Sequence, residues 1–315
     1  MPSFLPAQAA FEGFRFTRER PGAVAAWAGA TLAFNLASGV LGALIGGSAM
    51  VDFKALAQQQ PFDLSAFVQL LPRLLPALVI TVLINLAGSA VVYPSAVRSF
   101  MGIDRKVAFR AGEDERRILL LLVGYGLIYF VVSAVTGVCF GFLENIFGAF
   151  SAQLGQFVHF LSILADFVLP TAVIVRLSLA PVIAVDRKRI SLKESWVSTK
   201  GHFWPLAVSL MLSIGLYLVV VFVGLLVVMS LAQVLSIPTN GAISPGSLTG
   251  AGHDTLADLI KPAAIFFELI TAMMVAMVLP VVIGPLVRAY QAYDEPDAPP
   301  AGWVGQPRAD APPSP

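Results

Sequence analysis

Charge is scarce in this chain. Asp, Glu, Lys and Arg supply 12% of its 315 residues, against about 25% in an ordinary soluble domain. A soluble body of this size needs ionic groups to cover its surface, so the shortfall argues against one. Cysteine is almost missing as well. Cys139 stands alone inside an apolar run, so no intrachain disulfide can form, and no Cys/His cluster exists for zinc. It reads as a small buried hydrophobe. The net charge of +1 offers no bulk attraction to nucleic acid, and none is expected as a partner. No Gly-x-Ser-x-Gly, His-Glu-x-x-His or phosphate-cradling glycine loop occurs. The expectation is therefore a non-enzymatic protein with no cofactor and no metal. A cleavable signal pattern is also missing. The basic residues follow the aromatics, and no small-residue cleavage site closes a short apolar core.

What is present is apolar and gathered into blocks. Hydrophobic residues make up 57% of the chain. A membrane span needs about 20 of them in succession. Six segments qualify, near 23–49, 75–97, 118–143, 158–182, 204–231 and 263–290. Hydrocarbon offers no partner to free backbone groups, so these runs must be helices. They are too long and too continuous for barrel strands. The expected fold is an all-α integral membrane bundle of six spans.

The placement of positive charge gives the threading. Of the 20 Lys and Arg, seventeen fall in the N-terminal segment, the second and fourth loops and the tail. The second loop holds Arg98, Arg105, Lys106, Arg110, Arg116 and Arg117. The fourth holds Arg176, Arg187, Lys188, Arg189, Lys193 and Lys200. Lys54, Arg73 and Lys261 alone fall on the other side. Positive loops stay in the cytoplasm, so both termini are expected there, in a bacterial inner membrane.

The flanks divide the chain further. Residues 1–22 carry Phe4, Phe11, Phe14 and Phe16 ahead of Arg15, Arg18 and Arg20. They read as an amphipathic segment lying on the membrane. Residues 23–290 form the spanning domain. Residues 291–315, rich in Pro and Ala, read as a disordered cytoplasmic tail. The outer loop at 236–261 reads as irregular. The segment 51–74 mixes Phe53, Leu56, Phe62, Leu64, Phe67 and Leu70 with polar residues. It suits a helix on the outer interface or one leading into the second span.

Three stretches look alike. Residues 14–20, 109–117 and 196–204 each combine aromatic and basic residues before an outward span. Each return span carries a proline shortly before an arginine: Pro94 and Arg98, Pro170 and Arg176, Pro285 and Arg288. The pattern reads as three tandem hairpins, each an interfacial helix plus two spans. The prolines bend those helices and free carbonyls near the basic loops.

Ionisable residues inside a span are costly and are functional candidates by default. Asp166 and Glu268 qualify, each about 7–12 Å from the outer face at 1.5 Å per residue. Glu144 and His159 lie at the outer ends of their spans, and Asn35 and Asn85 nearer the middle. The acids read as one polar layer, able to bind a cation or an amine or to carry protons. The plainer reading is hydrogen bonding between helices or exposure at the outer mouth. Small residues also recur at four-residue spacing: Ser38, Gly42 and Gly46, and Ser133, Gly137 and Gly141. Such faces allow close helix contact within one chain or between copies.

The fourth loop is the richest. Ser191 and Glu194 fit a capping box, Ser191 as N-cap with Glu194 reaching back. A helix on the cytoplasmic leaflet would follow, with Lys193, Trp196, Lys200 and Trp204 in contact with lipid. Membrane lipids are the expected partners, with a second copy or another membrane protein as the further one.

This loop also carries a resemblance. The residues at 176–181, Asp186, the run at 191–196 and the run at 199–204 are similar to a recurring segment of bacterial multi-span proteins. Those proteins are related to the membrane domain of glycerophosphoryl diester phosphodiesterases. Residues 111–116 resemble a stretch of alphaproteobacterial members. The likeness covers residues 93–205, and elsewhere only the span pattern. It implies the membrane part without the enzyme. The phosphodiesterase of that family is a separate barrel with a His-Arg pair, and none of His159, His202 and His253 is followed by Arg.

Overall fold

The structure, a computed structural model, describes residues 5–57, 63–104, 107–236 and 256–294. Every regular element among them is an α-helix. They are α1 (Pro6–Glu19), α2 (Pro21–Ala57), α3 (Leu64–Phe100), α4 (Glu113–Phe150) and α5 (Ala152–Leu177). Then come α6 (Ala180–Asp186), α7 (Leu192–Ser198), α8 (Phe203–Ser236), the single turn α9 (Leu256–Leu259) and α10 (Pro262–Asp294). Six helical stretches are long and apolar enough to cross a membrane. Each contains one of the six runs read from the sequence.

The helices overshoot those runs. At 37 residues each, α2 and α3 are about 55 Å long, whereas the hydrocarbon is about 30 Å thick. The segment 51–74 is used for this. Its first part extends α2 and its second part opens α3, and residues 58–62 lie outside the described residues. Asp63 caps α3, its Oδ1 accepting from the amides of Ser65 and Ala66 at 2.9 and 3.1 Å.

The spans pair as hairpins. In α2–α3 the small face of α2 does the packing: a Cβ on Gly46 would lie 2.4 Å from Ala77 Cβ, and one on Gly42 3.4 Å from Thr81 Oγ1. Close contact of this kind replaces the hydrophobic drive that lipid removes. The matching face of α4 behaves differently. Gly137 and Gly141 have nothing within 4 Å, so their stripe is not buried within the chain. The α4–α5 hairpin closes elsewhere, where Gly148 and Gly155 nearly touch. The third hairpin, α8–α10, meets where α8 ends and α10 begins, around Ala232 and Ala263.

Towards the other end α1 packs on both α8 and α10. The N-terminal segment, read from the sequence as lying on the membrane, is thus packed against the bundle with Ala9, Ala10 and Phe16 buried. The reason is local. A Cβ on Gly13 would lie 2.4 Å from the carbonyl oxygen of Pro280, and Gly284 faces the Gly13 backbone. Two glycines let the two backbones meet. Phe16, fully buried, then stacks on Trp27 and Phe100 at centroid distances of 5.6 and 4.1 Å. Trp27 Nε1 donates to Ser95 Oγ at 3.3 Å.

The fourth span covers Ala152–Asp186 and includes the run at 158–182, but it is not one continuous helix. It breaks after Leu177, and α6 follows as a short helix with Val182, Ile183, Ala184 and Val185 all fully buried. Pro181 in the first turn of α6 favours a fresh start over continuation. The hydroxyl of Tyr125 donates to the Leu177 carbonyl at 2.6 Å, satisfying a group the break exposes. The second hairpin also lacks a leading interfacial helix. The described part of 101–112 is non-helical and folds over Arg98. Arg105 and Lys106, the tail beyond 294, and residues 237–255 of the outer loop lie outside the described residues.

Candidate functional site

The α1–α2 junction, the last turns of α10, the α3–α4 connection and the α5–α8 connection gather at one end of the bundle, the basic end. Its centre is Arg98, 2% exposed. Nε donates to Asp104 Oδ2 at 3.0 Å and Nη2 to Glu115 Oε1 at 2.9 Å. Nη1 reaches Asp114 Oδ2 at 3.4 Å, and Nη2 also donates to the Ala108 carbonyl at 3.3 Å. Asp114 in turn takes Arg117 at 2.8 Å and Lys188 at 2.7 Å. Glu115 Oε2 accepts from the Gly112 amide at 3.0 Å, capping α4. Three acids in the first turn of α4 also suit its positive dipole end. A buried guanidinium is tolerated only when paired and hydrogen-bonded, and here the partners come from the α3–α4 connection and the start of α4. The sequence reading used Arg98 to orient the chain and to mark the repeat. The nearby run of Glu113, Asp114 and Glu115 was the available signal for more.

Arg176 organises the next loop. Its Nη1 donates to the Thr199 carbonyl at 2.7 Å, and its guanidinium lies over the rings of Trp196 and Phe203. The hydroxyls of Ser195 and Thr199 donate back to the Arg176 carbonyl. Ser191 Oγ accepts from the Glu194 amide at 3.2 Å, so it is the N-cap of α7. Glu194 does not reach back. Its carboxylate pairs with Arg187 and Arg189, because two nearby guanidinium groups outcompete one amide. The Tyr290 hydroxyl, on α10, donates to Asp186 Oδ2 at 2.7 Å and ties this loop to the last span.

The four residues assigned to lipid contact all lie exposed at this end. Trp196 is 47% and Trp204 74% accessible, and Lys193 and Lys200 project outward with no ion-pair partner among the described residues. The structure thus places them together on one rim.

The acidic residues are not brought together. Glu144 and His159 face each other near the tip of the α4–α5 hairpin, with Oε2 and Nδ1 3.3 Å apart. They edge an open groove of about 640 Å³ that also includes Asn145 and Gln156. Glu268 lies on α10 against α2, where Asn35 Nδ2 donates to its Oε2 at 3.1 Å. Asp166 lies on α5, about 21 Å from the start of that helix, near its middle. Its Oδ1 is buried without a hydrogen-bond partner, as is the Ser133 hydroxyl on α4. The acids therefore occupy three separate places and form no single cluster, because α5 and α10 do not pack along each other among the described residues. Asn85 stays between α2 and α3, donating to the Thr81 carbonyl at 2.8 Å and reaching Ser38 Oγ at 3.5 Å. Among the described residues no group of three or more His, Cys, Asp or Glu is arranged to hold a metal ion.

Fold and site together define an all-α, multi-pass membrane protein. Comparison with protein-family models finds no match, and neither do comparisons with curated proteins and with solved structures.

Proposed function

We propose that this chain is a non-enzymatic protein of the bacterial inner membrane, with both termini in the cytoplasm, that acts as a lipid-binding scaffold in envelope homeostasis. The observation that carries the reading is the rim of Lys193, Trp196, Lys200 and Trp204, exposed at the basic end and held by the Arg176–Thr199 clasp. Exposed indoles favour the headgroup region, and lysines beside them attract lipid phosphates. The excess of basic residues at the same end supports a cytoplasmic location for it. Kinship with the membrane domain of glycerophosphoryl diester phosphodiesterases is part of the proposal and rests on the motifs at 176–204.

A second reading, a transporter or channel working through Asp166, Glu268 and Glu144, draws on the unpaired Oδ1 of Asp166. The separation of the three acids, and the local partners of two of them, favour the scaffold.

The test is to purify the full-length chain from native membranes and weigh the lipids that stay bound. Enrichment of anionic lipid over the bulk membrane, reduced in a Lys193→Ala/Lys200→Ala variant, supports the reading. Bulk composition in both proteins overturns it. Reporter fusions near Lys188 read the orientation independently, and a periplasmic signal would reverse the threading.

A further inference from the structure

The packing of α1 on α8 and α10 leaves a slot of about 170 Å³. Its walls are Phe14, Val220, Met277 and Val281, with Thr17, Arg18 and Tyr217 completing it. Both α8 and α10 are membrane-spanning helices, so the slot opens among lipid-facing elements. An apolar space of this size has room for a short stretch of hydrocarbon chain.

Arg18 gives the slot its chemistry. The other charged side chains of this segment have partners. Glu12 pairs with Arg15 and Arg288, Arg15 with Glu19, and Arg20 donates to the Ser99 carbonyl. Arg18 is exposed and has no hydrogen-bond or ion-pair partner among the described residues. The Tyr217 hydroxyl likewise has none. Arg18 lies two residues from Arg20, whose contact with Ser99 places this turn of α1 beside the buried Arg98 and its carboxylates. That is the level at which the spans give way to the basic loops. An unpaired guanidinium above an apolar slot, at the border between spans and loops, matches an anionic phospholipid in charge and in polarity.

We infer that this slot binds one anionic phospholipid, its phosphate on Arg18 and the upper part of one acyl chain between α1, α8 and α10. The inference deepens the scaffold reading by adding a defined site to the diffuse rim of Lys193 and Lys200. Lipid bound there would lock α1 against both helices of the third hairpin.

The experiment uses full-length protein stripped of lipid in detergent. It is titrated with phosphatidylglycerol and with phosphatidylcholine of the same chains, and complexes are counted by native mass spectrometry. The first lipid bound should favour phosphatidylglycerol about fivefold, the worth of one basic residue near an anionic headgroup. Arg18→Gln should abolish that preference while Arg18→Lys keeps most of it. Val220→Phe, which fills the slot, should weaken first binding of both lipids. A preference unchanged in Arg18→Gln and Val220→Phe overturns the slot but leaves the scaffold reading standing, since Lys193 and Lys200 would then carry it. Equal binding of the two lipids by the wild-type chain overturns both. Displacement of phosphatidylglycerol by millimolar inorganic phosphate alone would overturn the acyl-chain half of the site.

Discussion

Arg98 closes one long helix and Glu115 opens the next, and the guanidinium of the first donates to the carboxylate of the second at 2.9 Å with both nearly sealed from solvent. Asp104 and Asp114 complete the cage. Asp104 also pairs with Arg110, and Asp114 with Arg117 and Lys188, so Glu115 is the acid that relies on Arg98 for its counter-charge. Arg98→Met should destabilise the protein by about 3–5 kcal/mol, because it strands the Glu115 carboxylate in a low-dielectric site. Adding Glu115→Leu should recover part of the loss. Thermal unfolding in detergent measures both, and equal losses in the single and double variants would remove the pair as the cause.

Glycine contacts give a contrast within one protein. A methyl at Gly46 meets Ala77 at 2.4 Å, whereas one at Gly137 meets nothing. Gly46→Ala should cost about 1–3 kcal/mol by overpacking the α2–α3 seam. Gly137→Ala should be neutral or stabilise by up to about 1 kcal/mol, from helix propensity alone. If Gly137→Ala is instead the damaging change, and only at high protein concentration, the bare face of α4 serves contact between copies.

The docking of α1 depends on the meeting of Gly13 with Pro280 and Val281. Gly13→Val should push α1 off α10, since the obstructing atoms are backbone and cannot turn aside. Limited proteolysis should then cut near Arg15 and Arg18 while the spans stay intact. Protection equal to wild type would mean that α1 is held by Phe16 alone.

Glu268 and Asn35 separate the bland role of an intramembrane acid from a functional one. If the pair at 3.1 Å serves packing, Glu268→Gln should leave stability within about 0.5 kcal/mol, and a double-mutant cycle with Asn35→Ala should return about 0.6 kcal/mol of coupling. A proton- or cation-coupled flux in liposomes that disappears in Glu268→Gln would support the transporter reading instead.

Acid should loosen the start of α3. The Ser65 hydroxyl, followed by the amides of Ala66 and Ser65, holds the Asp63 carboxyl below its ordinary value. A lowered folded pKa contributes stability that is complete above the unfolded value and is lost as pH falls through the folded one. Amide exchange at Ser65 and Ala66, compared between pH 7 and pH 2, should rise beyond the intrinsic trend. Asp63→Asn, which still caps, should flatten that pH dependence.

The sequence by itself determined the solvent, the number of spans and which loops are basic. Each of these follows from quantities additive along the chain: apolar length against bilayer thickness, and charge per loop. It also placed Ser191 as a cap, because a cap is a contact over three residues. Tertiary structure alone decided the rest. The burial of α6 and the packing of α1 on α8 and α10 depend on distances between segments far apart in sequence, while the choice of Glu194 between an amide and two arginines and the cage around Arg98 depend on how non-helical connections fold back. The three acids looked like one layer because depth along a span is legible from residue number. Which helices lie side by side is set by where Gly13, Gly46 and Gly155 let backbones approach, and spacing along one helix carries no information about the partner.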